Sequence, residues 1–114
     1  MNALELAHKI VEALEDKKGE DILLLDIKGI ATFTDYFILC NGTSDRMLDA
    51  LAKGVLEATK SHYKKKSRVE GESREGWLVM DFGDVVVHLF SPDMRAYYDL
   101  EELWSDGKVL LRVQ

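Results

Sequence analysis

Cysteine, proline and long apolar runs are all scarce in this 114-residue chain. Its one cysteine, Cys40, rules out an intramolecular disulfide, so nothing points to an oxidising compartment. No apolar stretch approaches the roughly 20 residues that a membrane-spanning helix needs. The N-terminal segment MNALELAHKIVEALED alternates charged and apolar residues and lacks the unbroken apolar core of a signal peptide. The expected compartment is the cytoplasm, with no membrane contact. Linkers, repeats and low-complexity segments are missing too, and the length suits one domain around one core.

Positive charge is also in deficit. With 21 acidic against 15 basic residues the net charge is −6. A protein that grips nucleic acid through phosphates needs a positive footprint, and this chain as a whole repels polyanions. The exception is the cluster Lys64, Lys65, Lys66 and Arg68, which reads either as a solvated loop or as a peripheral contact with RNA.

Groupings that carry chemistry are equally thin. His8, His62 and His88 are scattered, none at metal-ligand spacing from another or from Cys40. Cys40 ends an apolar run and reads as a small buried hydrophobe. No P-loop or glycine-framed serine elbow occurs. Asn41-Gly42-Thr43-Ser44 lies between a strand and a helix, where backbone N–H groups can hold an anion. Glu70, Glu72, Asp81 and Asp84 are the only carboxylates placed to follow it as metal holders. A turn glycine and helix cap is the simpler reading of that segment. We therefore expect no enzyme, cofactor or metal.

What is present is a clear alternation of elements. Leu4, Ala7, Val11 and Leu14 recur at helical spacing, widened by Leu6, Ile10 and Ala13, with Asn2 and Glu5 as a cap pair. Ile22–Ile27 and Tyr36–Cys40 are apolar runs of strand length without alternation, which predicts strands buried on both faces. Thr43 or Ser44 caps a second helix with Met47, Leu48, Leu51, Val55 and Leu56 inward. Arg68–Gly71 is a short edge strand, and Pro92 after Ser91 opens a closing helix. On that helix Tyr97, Leu100 and Trp104 share one side, with Tyr98, Glu101 and Glu102 elsewhere as acidic surface. The order predicts a single mixed β-sheet with helices packed on it, an α/β (α+β) fold.

Phe82-Gly83-Asp84-Val85 predicts a two-residue hairpin turn with Gly83 at positive φ. Strand alternation then puts Leu78, Met80, Phe82, Val85, Val87 and Leu89 on one, wholly apolar face. The other face receives Trp77, Val79, Asp81, Val86, His88 and Phe90, a mixture of rings, aliphatic surface, a carboxylate and an imidazole. Two readings stand: a docking surface, or a core face covered when Arg95–Trp104 folds back. On the docking reading the contact residues are Trp77, Asp81, Asp84 and His88, joined by Tyr98 and Glu101.

The ordered set TDYF, GTSDR, GDVVVH and YDLEELW, from Thr34 to Trp104, resembles the Iojap family, whose bacterial members are the ribosomal silencing factors (RsfS). The likeness runs from the first helix to about Asp106, giving a domain over 1–106 and a C-terminal tail over 107–114. The resemblance implies an α/β fold related to the nucleotidyltransferase core. It implies a factor that binds the large ribosomal subunit through its basic ribosomal protein fourteen and blocks joining of the small subunit when nutrients are short. It also implies a homodimer when free, with organellar relatives acting in large-subunit assembly. Lys64, Lys65, Lys66 and Arg68 would then touch ribosomal RNA at the periphery.

Overall fold

A computed structural model describes residues 2–60 and 69–114 of the chain. His62 and the basic cluster Lys64, Lys65, Lys66 and Arg68 lie outside the described residues. Helix α1 (Ala3–Asp16) begins at the expected cap. The Glu5 N–H donates to the Asn2 side chain at 2.8 Å, and the Asn2 amide donates back to the Glu5 carboxylate at 3.0 Å. The buried stripe is Leu6, Ala7, Ile10, Val11, Ala13 and Leu14, while Leu4 is exposed in the first turn.

Strands β1 (Glu20–Asp26) and β2 (Tyr36–Asn41) follow. Their lack of alternation has the expected cause, because side chains of both parities are buried. Ile22 and Leu24 pack in the core with α1 and α2, and Leu23 and Leu25 pack on the opposite side of the sheet. Helix α2 (Asp45–Thr59) is capped by Ser44, whose Oγ accepts from the Met47 N–H at 3.1 Å.

After the edge strand β3 (Val69–Glu72) and a 3₁₀ turn, β4 (Trp77–Asp81) and β5 (Val85–Phe90) form the hairpin. The Phe82 N–H donates to the Val85 carbonyl at 2.8 Å, and Gly83 has φ +87°, which a side-chain-bearing residue rarely adopts. The register runs from Trp77 opposite Phe90 to Asp81 opposite Val86. The six residues expected on the apolar face all enter the core shared with α1 and α2.

The sheet has six strands in the order β3-β4-β5-β2-β1-β6. Among the described residues only β2 and β5 run parallel and the other strand pairs are antiparallel, so the sheet is mixed as the sequence predicts. Two features of the C-terminal third differ from the sequence reading. Residues 107–114 are not a tail outside the domain. They supply β6 (Lys108–Val113), antiparallel to β1 from Ile22 opposite Val113 to Asp26 opposite Lys108. Without it the outer N–H and C=O groups of β1 would lack partners. The closing helix is also two pieces, α3 (Pro92–Tyr98) and α4 (Leu100–Leu103). Asp99 lies between them in the left-handed region, φ 47° and ψ 53°.

Candidate partner-binding face

The sheet has one helical face, covered by α1 and α2, and one face crossed by α3, α4 and the chain leading to Trp104. That crossing is partial. Leu100 and Trp104 pack over the cluster of Leu23, Leu25, Phe37, Leu39, Val86 and Phe90, whereas Met94 lies toward β4 beside Trp77 and Val79. The β4 side stays open, with Trp77 and Val79 half-buried and Asp81 exposed. Cover by the segment after β5 thus accounts for one half of the face and leaves the other half open. Phe90, grouped in the sequence with the open side chains, is 1% exposed and belongs to the covered half.

An aromatic series crosses the boundary. Tyr98 lies 4.3 Å from Trp77, which stacks on Phe90 at 5.2 Å. His88 meets Phe37 at 4.8 Å, and Phe37 and Phe33 each meet Trp104 at 5.8 Å. Tyr98 and Phe33 are 42% and 57% exposed, so the series is buried at its middle and open at both ends. The left-handed Asp99 changes the helical phase here. Tyr97, expected to share a side with Leu100 and Trp104, points outward and is 76% exposed.

His88 is buried beneath this layer rather than presented on it. The Trp77 indole N–H donates to His88 Nδ1 at 3.1 Å, which fixes the ring as the neutral tautomer protonated at Nε2. Burial pushes the His88 pKa down to about 4, so the ring is uncharged near neutral pH. Its role is to orient Trp77. Asp81 and Asp84 are both exposed at the hairpin tip. Asp81 Oδ1 accepts from the Gly83 N–H at 2.8 Å, stabilising the turn. The Asp84 carbonyl accepts from the Asp35 and Tyr36 N–H groups at 3.1 and 3.0 Å, clasping the tip to β2.

Glu101, expected as free acidic surface, is committed within the domain. Its Oε1 accepts from Arg95 Nε at 2.8 Å, and its Oε2 lies 3.9 Å from Arg112. Arg95 is 6% exposed and reaches the Asp21 carbonyl and Asn41 Oδ1, with the Asp21 carboxylate at 3.7 Å. One buried guanidinium thus ties α3 and α4 to β1 and β2. The sequence reading missed this node. An arginine two residues before a Tyr-Tyr pair carries no signal that it will be buried.

The carboxylates weighed as metal holders do not converge. Glu72 pairs with Arg74 at 2.6 Å, and Glu70 lines a groove with Trp77 and Val79. Among the described residues no group of three or more His, Cys, Asp or Glu side chains is close enough to hold a metal ion. Ser44 is occupied as a helix cap. Cys40 is fully buried, and burial pushes its thiol pKa up to about 12, far from a reactive thiolate.

The family described as "Ribosomal silencing factor during starvation" (RsfS) matches residues 1–113. The Bacillus subtilis protein named Ribosomal silencing factor RsfS is 40% identical over 107 residues, 94% of this chain and 91% of its own length. The mouse protein named Mitochondrial assembly of ribosomal large subunit protein 1 is 35% identical over 100 residues, 84% of this chain but 43% of that longer protein. A crystal structure from Chromobacterium violaceum superposes with a TM-score of 0.86 at 38% identity, covering 92% of this chain and 88% of the other.

Proposed function

Because this chain belongs to the RsfS family of ribosomal silencing factors, we propose that it docks on the large ribosomal subunit and bars the small subunit from joining. Ribosomal protein fourteen, a basic protein, is the principal contact, and the outcome is lowered translation when nutrients are short. The factor acts in the cytoplasm. A steric plug of this kind needs no chemistry, only a compact body and a complementary patch.

The observation that carries the reading is the open half of the non-helical face. There the half-buried Trp77 and the exposed Tyr98 stand beside the exposed carboxylates of Asp81 and Asp84. Large rings fixed on a rigid sheet concentrate binding energy, and exposed carboxylates select a basic partner. An interface of about 800 Å² per side would engage a small part of the protein's 6819 Å² surface. Trp77, Asp81, Asp84 and Tyr98 contact the partner on this reading. His88 holds the indole, and Glu101 holds the element that carries Tyr98. A peripheral contact with ribosomal RNA through Lys64, Lys65, Lys66 and Arg68 belongs to the same reading.

Sedimentation with separated subunits tests the proposal. The protein co-migrates with large subunits alone, and Trp77→Ala weakens this at least tenfold while the variant stays folded. Full retention by the variant moves the patch elsewhere. The same open face serves a homodimer in the absence of ribosomes, so added ribosomal protein fourteen should dissociate that dimer. A role in large-subunit assembly, carried in the name of the mouse relative, would use the same docking. A nucleotidyltransferase-like enzyme would instead bind magnesium and a nucleoside triphosphate, which calorimetry detects directly.

A further inference from the structure

Between the outer strands and α3 lies a groove of about 290 Å³, at the small end of ligand-sized cavities and suited to one long side chain. Trp77, Val79, Met94 and Tyr98 line it with rings, a branched alkyl group and a thioether. Because the indole N–H is already donated to His88, and Phe90 and Tyr98 pack on the ring at 5.2 and 4.3 Å, Trp77 offers a visitor the part of its ring they leave uncovered rather than a hydrogen bond. The remaining side chains at the groove are Glu70 and Glu75, both exposed. Among the described residues neither has an ion-pair partner. Arg74, nearby, is held by Glu72 at 2.6 Å, and among the described residues no basic side chain lines the groove.

Ring faces carry negative electrostatic potential, and two carboxylates that have no ion-pair partner among the described residues add to it. Apolar walls favour an alkyl stem below a charged head. We propose that this groove receives a single arginine or lysine side chain from the protein partner, its stem along Val79 and Met94 and its cationic head among Trp77, Tyr98, Glu70 and Glu75. A phosphate-bearing ligand is disfavoured by both carboxylates, and a bare metal ion finds too few converging oxygens. The inference rests on the docking reading above and adds a specificity pocket to it. Glu70 and Glu75 become recognition residues beyond those identified from sequence.

Two measurements test it. In the first, large subunits bind the wild type and the Glu70→Gln/Glu75→Gln double variant, whose exposed positions leave the core untouched. The double variant should bind roughly tenfold more weakly at low salt, chiefly through slower association, and the gap should close as salt is raised. In the second, nuclear magnetic resonance follows the Trp77 indole N–H and the Met94 methyl during titration with acetyl-Gly-Arg-Gly-amide. The neutral control carries citrulline in place of arginine. The arginine peptide should give saturable shifts, the citrulline peptide none, and the double variant should lose the response. Equal shifts from both peptides, no shift from the arginine peptide, or unchanged subunit binding by the double variant each overturns the groove. Failure of the wild type to co-migrate with large subunits, with the arginine response intact, sinks the ribosomal reading alone.

Discussion

The two faces of the sheet are built from similar residues but held in different ways. On the helical face, two long capped helices lay continuous apolar stripes on Leu24, Ile38, Val87 and Leu89, and burial alone holds the layer. On the other face, two short helical pieces meet at a left-handed aspartate, and a buried guanidinium ties them down. The first arrangement maximises packing. The second leaves ring edges and carboxylates in water, which a surface meant for a macromolecule requires. On the proposed function, stability and recognition fall to opposite sides of one sheet.

The sharpest way to break the contrast is Arg95→Ala. It strands Asp21, Asn41 and Glu101 around an emptied site, and removing one partner of a buried pair costs about 3–5 kcal/mol. Hydrogen exchange should show α3, α4 and β6 losing protection first, with α1 and α2 amides the last to open. Equal loss on both faces would show that the faces are one cooperative unit. Leu51→Ala is the counterpart on the helical face. This fully buried side chain should cost about 2–5 kcal/mol in urea unfolding while leaving subunit binding per folded molecule unchanged.

Next in size is the response to pH. The folded His88 pKa of about 4 lies below its ordinary 6.5 because burial penalises the charged ring. The unfolded chain therefore takes up a proton first as pH falls. Stability from this source is complete above about 6.5 and drains toward pH 4, by at most roughly 1.4 kcal/mol per pH unit. Urea midpoints of wild type and His88→Gln should diverge through that window, and parallel curves would remove His88 as the cause. Smallest are the caps. Ser44→Ala and Ser91→Ala each delete a bond to a helix N–H, worth about 1 kcal/mol. The first should lower the global unfolding free energy, and the second should register mainly as fraying of α3.

How much the sequence disclosed follows the same division. The hairpin was legible because Gly83-Asp84 admits one turn and period-two alternation then assigns every side chain. The unbroken apolar runs of β1 and β2 announced strands covered on both sides, and Asn2 with Glu5, the Thr43-Ser44 pair and Pro92 after Ser91 announced helix starts. The C-terminal third was misread where one residue decides the geometry. A left-handed Asp99 cannot be told from a helical aspartate by spacing, yet it turns Tyr97 outward and Leu100 inward. Strand β6 did leave a trace, since Val109, Leu110, Leu111 and Val113 follow Asp106-Gly107, but the stretch is short and partners a strand far away in the chain. The site divides likewise. Trp77 and Asp81 follow from alternation, whereas the burial of His88, the Arg95 tie and the Glu70–Glu75 rim depend on tertiary contacts that no local pattern encodes.

The pairing of β6 with β1 also has a kinetic meaning. The hairpin joins neighbours in the chain and can close within microseconds, whereas β1 must wait for residues more than 80 positions downstream. The segment between β5 and β6, which covers part of the non-helical face, is accordingly organised late. Pulse-labelling during refolding should find β4 and β5 amides shielded while those of β6 still exchange, so a half-folded molecule would carry its hairpin before β1 gains its outer neighbour.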